Sequence, residues 1–374
     1  MSGLNTLFKR PYVSVAFTNR NDGYGGDLEA RIGKFIDYYA MYARRWPGLF
    51  EFVICDWNPP QNAARLRDAF DWKKLGNVLH VEVPPEVHAR IAGPGARQML
   101  DYIGRNVAAR RASGKFILVI NQDIFISKSI MRLIGKRRLQ RGCFYRADRC
   151  DFDFEPCRDV PIEQFQAAAL AHTFQVNRRH RSTDEPISVP AEGGSLRALG
   201  SGPEAGDDLD PDLRLIHCRA AARRLKVDRQ NDWAWRWIPA LREHLAVWRA
   251  SVEGDKYYRG FLLHTNAAGD FLLAPRRAFY EINGMWETSK IYLHLDSYAV
   301  MQFFAAGYEQ AIFRQPHRVF HADHDRSARA GFKEGADWAE HERAFSEMLR
   351  EERSFRLNGR DWGLAREKLP TWRL

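Results

Sequence analysis

The chain has 374 residues, of which 45% are hydrophobic and 28% charged, with 57 Lys and Arg against 47 Asp and Glu for a formal net charge of +10. That is the composition of an ordinary globular protein, long enough for one large domain or two ordinary ones, and no stretch approaches the ~18–20 apolar residues of a membrane span. Residues 1–10 lack an apolar signal core, and the five cysteines (Cys55, Cys143, Cys150, Cys157, Cys218) show no zinc-type spacing, so reduced thiols in a cytoplasmic protein are expected.

The positive surplus collects in short clusters: Lys136-Arg137-Arg138, Arg178-Arg179-His180-Arg181 and Arg223-Arg224-Leu225-Lys226. Where such clusters are more than a solvated face, they favour phosphate-bearing substrates or anionic lipid headgroups. Zinc-finger spacing, an RNP-like aromatic motif and a basic-region heptad are all missing, which leaves nucleic acid out of the expected partners.

In chain order, residues 12–17 read as a strand closed by the polar run Thr18-Asn19-Arg20-Asn21-Asp22-Gly23. An amphipathic helix follows over 28–45, with Ile32, Phe35, Ile36 and Tyr39 at helical spacing. Residues 50–55 form a second strand, stopped by Asp56-Trp57-Asn58-Pro59-Pro60 because two prolines cannot continue a ladder. A helix over 61–70, a strand over 78–83 and a helix over 96–111 lead to the apolar run 116–120. Strands alternating with helices over this distance predict an α/β fold around a parallel sheet covered on both faces.

The tip of that fourth strand reads Asn121-Gln122-Asp123. Ligands of open α/β sheets sit outside the carboxyl ends of the strands. Positions i and i+2 of a strand point to one side, so Asn121 and Asp123 are expected to share a ligand. Their oxygens suit a divalent cation bridging to a diphosphate, or more simply a turn cap.

The middle is different. Residues 182–212 are rich in Gly, Ser, Pro, Asp and Glu and read as a long flexible loop. Residues 213–253 read as helical and hold Trp233, Trp235, Trp237 and Trp248, as core or as an aromatic platform for a sugar or lipid.

Further on, Gly269-Asp270 precedes a short apolar strand, with a glycine that permits close backbone approach to a ligand. Residues 283–287 form a turn bearing Trp286 and Glu287. Asp296 opens a helix that runs to Ala306 and stops at Gly307, where a first-turn carboxylate suits the helix dipole or caps it. His321 and His324 lie three apart and are potential metal ligands.

Together these segments resemble the GT-A-fold nucleotide-sugar glycosyltransferases, in particular the bacterial family-2-like group. The resemblance runs over 12–125 and 260–325: Thr18 to Asp22, Asp56 to Pro60, Asn106 to Arg111, Asn121-Gln122-Asp123, Gly269-Asp270-Phe271, Gly284 to Glu287, Asp296 and the His321/His324 pair, in that order. One position departs from the family, whose Asp-x-Asp begins with an acid where this chain has Asn121. A neutral ligand supplies less charge to a hard ion.

The resemblance implies a Rossmann-type GT-A core, with its nucleotide half over 1–150, a largely helical insertion over 151–258, its acceptor half over 259–330 and a helical tail over 331–374. It implies nucleotide contacts from Thr18, Asn19, Arg20, Asp56, Asn121 and Arg110 or Arg111, and Mn2+ or Mg2+ held by Asp123 with His321 or His324. Gly269, Asp270 and Trp286 would touch donor sugar or acceptor. Asp296, with Glu287 as runner-up, would be the base of an inverting transfer from a UDP- or GDP-type donor. The acceptor would be a glycan or lipid-linked glycan of cell-surface synthesis, reached by an enzyme resting peripherally on the inner membrane face. A catalytically silent carbohydrate-binding relative and a sugar-phosphate nucleotidyltransferase are the alternatives. The second is disfavoured by two aspartates, Asp22 and Asp27, in a first loop that would have to grip a triphosphate.

Overall fold

The computed structural model describes residues 10–93, 97–178, 182–183, 213–216, 263–289, 294–325 and 338–374. Strand β1 (Val13–Asn19) is buried along its whole length. Its alternate residues serve two cores: Val13, Val15 and Phe17 face one, Ala16 the other. Helix α1 (Leu28–Arg45) lays Ile32, Phe35, Ile36 and Tyr39 onto the first core, the face its spacing predicts. Strand β2 (Phe50–Trp57) repeats the alternation, with Phe50, Phe52 and Ile54 on that side and Val53, Cys55 and Trp57 on the other. A strand buried on both faces is what a covered parallel sheet requires.

Short α2 (Leu66–Ala69), β3 (Val78–Val83), α3 (Pro85–Ala92) and α4 (Asp101–Arg111) lead to β4 (Phe116–Val119). The helix expected over 61–70 is reduced to α2 and a 3₁₀ turn at Trp72–Leu75, because an Asp56 carboxylate oxygen takes the Leu66 N–H at 3.0 Å and starts the helix late. The helix expected from residue 96 begins at Asp101, and α3, with proline in its first turn and Gly93 beyond its end, was not legible as a separate element.

Strand β5 (Ile124–Ile126) and helix α5 (Lys128–Gly135) precede the long β6 (Cys143–Phe152), followed by α6 (Ile162–Ala171), β7 (Thr173–Asn177), β8 (Ser182–Thr183) and β9 (Leu213–Ile216). Strand β10 (Leu272–Pro275), α7 (Arg276–Glu281), α8 (Leu295–Ala305) and β11 (Glu309–Ala322) form the returning half, and α9 (Trp338–Arg350) and β12 (Thr371–Arg373) complete the described chain.

The sheet runs β12-β3-β2-β1-β4-β10-β6-β11-β5. Strands β3, β2, β1 and β4 are mutually parallel, β10 enters antiparallel between β4 and β6, and β11 runs parallel to β6 and antiparallel to β5. This is a Rossmann-type α/β architecture: a parallel nucleus, helices on both faces, and a returning half woven into the same sheet. The four described cysteines are buried and free.

The outer parts differ from expectation. Of the stretch expected to be a helical insertion, the described residues include α6 but also β7, β8 and β9, and the rest, with the four tryptophans from Trp233 to Trp248 and residues 184–212, lies outside the described residues. The tail is not helical throughout. After α9 it passes Gly359, Gly363 and Pro370, residues that disfavour helix, and ends as β12 paired antiparallel to β3, with Trp372 edge-on to buried His80.

Candidate functional site

Parallel register sets Asn19 of β1 beside Asp56 of β2 at the carboxyl edge of the sheet. Beyond the end of β4, Asn121 and Asp123 occupy the same edge. Because the strand stops at Val119 and a turn follows, the i, i+2 rule no longer applies, and the two side chains serve different partners.

Asp123 is buried beneath both imidazoles. One of its carboxylate oxygens lies 3.3 Å from His324 Nε2 and 3.8 Å from His321 Nε2, while Oδ1, also buried, has no hydrogen-bond partner among the described residues. One ligand atom from each of Asp123, His321 and His324 fits within 4.8 Å of the others. His321 arrives here on β11, whose pairing places it opposite Ile124 and Asp151. Its Nδ1 donates to Asp151 at 3.0 Å, so its Nε2 is turned to Asp123. Asp151 is in turn bound by Arg149 and Asn177. Burial pushes the Asp151 carboxyl up, but His321 and Arg149 outweigh it and hold it at about 2. Asp123 experiences the same contest, and the two imidazoles with Arg31 keep it well below the usual carboxylate range.

A lone pair on Nε2 opposite a carboxylate oxygen needs positive charge between them, from a proton or a cation. Two imidazoles and one carboxylate, with the imidazole oriented by a second carboxylate, form a donor set for a divalent ion of borderline character. Arg31 closes the site from α1, 3.3 Å from Asp123, and also donates to the Tyr24 carbonyl at 2.7 Å. The β1–α1 loop thereby passes over the cluster, with Tyr24 edge-on to His324 at 5.2 Å. Gly25, at φ +75°, is forced by this approach: a Cβ there would stand 2.6 Å from His324 Nδ1.

Asn121 belongs to the neighbouring group. Its oxygen accepts from Arg105 at 2.6 Å, and its amide donates to Asp270 at 2.7 Å. Arg105 also holds the Gly269 carbonyl and Asp101, and Asp270 is paired with Arg149. Arg149 therefore joins Asp270 to Asp151, and one chain of contacts runs from Asn121 to His321. The Gly269 N–H donates to Asp296 in the first turn of α8 at 2.5 Å. Buried Arg146 collects the carbonyls of His264, Asn266 and Ala268, fixing the loop that delivers Gly269. Burial pushes its guanidinium down to about 10.

The structure thus gathers Asn121, Asp123, Gly269, Asp270, Asp296, His321 and His324. At the β1/β2 edge, Asp56 Oδ1 and Asn19 Nδ2 are both buried without hydrogen-bond partners among the described residues, and burial raises Asp56 to about 6. Thr18 is turned to the Cys55 carbonyl, with Gly104 against it, and Arg20 ties Asn58 to Asp22.

Four expected site residues make contacts with other parts of the chain. Arg105, in the first half of α4, reaches Asn121 and the Gly269 carbonyl, so the arginine at the site is Arg105. Arg111 binds the carbonyls of Gly363 and Leu364, and Arg110 lies over the Trp362 ring. Glu287 accepts from Asn106 and the Gly363 N–H beneath the tail, and Trp286 packs near Tyr298 and His341. For the two arginines the cause is helical periodicity, which puts Arg110 and Arg111 more than a turn beyond Arg105, at the far end of α4. Arg31, Arg105, Arg149 and Asp151 were missed in the sequence, where buried arginine looks like surface charge.

No protein-family model matches the chain, and no curated protein matches it. Among solved structures it is similar to S. aureus TarS 1–349, at 10% identity and a TM-score of 0.40 over 83% of this chain, and to the same protein in complex with UDP, at 10% identity and 0.38 over 83%. It is also similar to GalNAc-T7 with UDP, GalNAc and Mn2+, at 11% identity and 0.41 over 90%. The chain spans 60% of the length of the TarS chains and 50% of GalNAc-T7.

Proposed function

We propose that this protein is a glycosyltransferase that uses a nucleotide-diphosphate sugar. The observation that carries this reading is the buried Asp123–His321–His324 cluster, roofed by the β1–α1 loop at the carboxyl edge of a parallel sheet, with Asp270 and Asp296 beside it through Gly269 and Asn121.

Asp123, His321 and His324 would hold Mn2+ or Mg2+, the nitrogen donors favouring the former. The ion would supply charge to offset that of the departing diphosphate. Asn19 Nδ2 and Asp56 Oδ1, a donor and an acceptor without partners among the described residues on adjacent strands, match the carbonyl and ring N–H edge that uracil and guanine both present, which supports a UDP- or GDP-type donor. Arg31 stands ready for phosphate oxygens. Asp270, already shared by Asn121 and Arg149, would accept from sugar hydroxyls. Asp296 would take the acceptor hydroxyl's proton as that oxygen displaces the nucleotide, inverting the anomeric carbon. An acceptor in cell-surface glycan synthesis, free or lipid-linked, and peripheral contact with an anionic membrane belong to the same reading. Among the described residues no helix is long and apolar enough to cross a membrane.

A thermal-shift screen with UDP, GDP, CMP and dTDP, with and without Mn2+, tests the donor, and hydrolysis of a nucleotide-sugar panel tests the activity. Stabilisation by UDP or GDP, and only with Mn2+, is expected. Indifference to every nucleotide would sink the proposal. The catalytically silent alternative is favoured by the engagement of Asn121 and Asp296 with protein groups; it predicts binding without hydrolysis.

A further inference from the structure

The opposite end of the sheet carries a second charged feature, independent of the reaction proposed above. A cavity of about 450 Å³ is lined by Arg10, Lys115, Arg141, Arg276, Arg277 and Tyr280, together with Gly114 and Pro275. Lys115 immediately precedes β4 and Asn121 follows it, so at ~3.3 Å per strand residue the cavity lies roughly 20 Å from the catalytic edge. Arg276 opens α7, whose N–H bonds to the Lys115 carbonyl, and so is fixed to the same strand entry.

Five cations converge here; among the described residues no carboxylate lines the cavity or forms an ion pair with Arg10, Lys115, Arg141 or Arg276, and Arg277 feels a nearby acid, Glu281. Arg10 donates to the Ser113 carbonyl and Arg276 to the Ala112 carbonyl, one N–H of the five each guanidinium owns. Arg277 meets the Tyr308 hydroxyl at 2.9 Å. Elsewhere the same chain pairs its arginines freely, as at Arg67–Glu82, Arg105–Asp101 and Arg149–Asp151. A cluster of like charge with unspent donors repels itself unless an anion joins it, and several forked donors suit a tetrahedral oxyanion. Tyr280, 37% exposed, adds an amphipathic ring at the rim, of the kind that settles at headgroup depth.

We propose that this cavity binds a phosphate-bearing group, presented by an anionic phospholipid or by a soluble phosphate compound. The lipid source would place the sheet's lower edge on a membrane and leave the catalytic edge open to solvent.

The test uses the full chain in two arms: co-sedimentation with phosphatidylcholine vesicles with and without phosphatidylglycerol, and calorimetric titration with inorganic pyrophosphate. Lys115→Glu/Arg141→Glu is compared with Lys73→Glu/Arg366→Glu, which changes the net charge equally at exposed positions elsewhere; Lys115→Ala/Arg141→Ala guards against misfolding by the reversal. The first pair should weaken binding by about tenfold or more, the alanine pair by less, and the control by under about twofold. Such a pattern in the vesicle arm identifies a lipid headgroup, and in the pyrophosphate arm alone a soluble ligand. Binding in neither arm, or equal loss in both charge-reversed pairs, overturns the proposal. Neither arm reads sugar transfer, so the outcome does not depend on the catalytic reading.

Discussion

His321 Nδ1 meets the Asp151 carboxylate at 3.0 Å, and that contact turns the opposite ring nitrogen toward Asp123. Asp151 thereby fixes both the tautomer and the ring plane of a proposed ligand. Asp151→Asn should therefore weaken Mn2+ binding by roughly 10–100-fold while the fold survives, since Arg149 keeps Asp270 as a partner. Calorimetric titration of Mn2+ checks this; unchanged affinity would remove Asp151 as a positioning residue.

Asn121 explains why restoring the missing acid should fail. Its amide donates to Asp270 at 2.7 Å, so Asn121→Asp would set two carboxylates face to face. The expected cost is about 1–3 kcal/mol of stability, with no gain in metal affinity. The exchange Asn121→Asp/Asp270→Asn should recover most of it. A double-mutant cycle by chemical denaturation measures the coupling.

Asp296→Asn keeps an oxygen for the Gly269 N–H but cannot accept a proton. Transfer should fall by at least about 100-fold, the scale of general-base catalysis, with nucleotide affinity nearly unchanged. A folded variant with normal turnover would exclude Asp296 as the base.

Removal of divalent ions with EDTA should abolish nucleotide-dependent thermal stabilisation, and Mn2+ should restore it better than Mg2+, because two of the three proposed donors are imidazoles. Asp123→Ala should behave like the EDTA-treated protein. Full activity after EDTA would transfer the diphosphate to Arg31 and its neighbours alone.

Glu287 gives a pH signature in the stability of the fold. Burial pushes its carboxyl up to about 7, against the lowering effect of Gly363 and Asn106. The folded protein then holds this proton where the unfolded chain has released it, so stability contributed by Glu287 is intact near pH 4 and lost as pH rises toward 7 and above. Glu287→Gln, which keeps the acceptor oxygen, should flatten that decline in denaturation series between pH 5 and 8.

The parts legible in the sequence were those with local causes. The apolar runs of β1, β2, β3 and β4 and the helical stripe of α1 follow from periodicity, and Asp123, His321 and His324 stood out because acids and imidazoles at element ends have few other uses. What was hidden is nonlocal. Arg105 reaches Asn121 and Gly269 because of how α4 lies on the sheet, and Asp151 meets His321 only through the β6/β11 register. Glu287, read as a second base, also fastens the tail, and nothing local announces that Gly363 returns to it.

The weaving of the sheet has a practical consequence. Strand β10 separates β4 from β6, β11 separates β6 from β5, and β12 seals the outer side of β3. Cutting near residues 150, 258 or 330 would strip neighbours from strands on both sides of the cut and leave sticky, unsatisfied ladders. Fragments expressed separately should aggregate or remain molten, and cooperative melting should belong to the intact polypeptide alone.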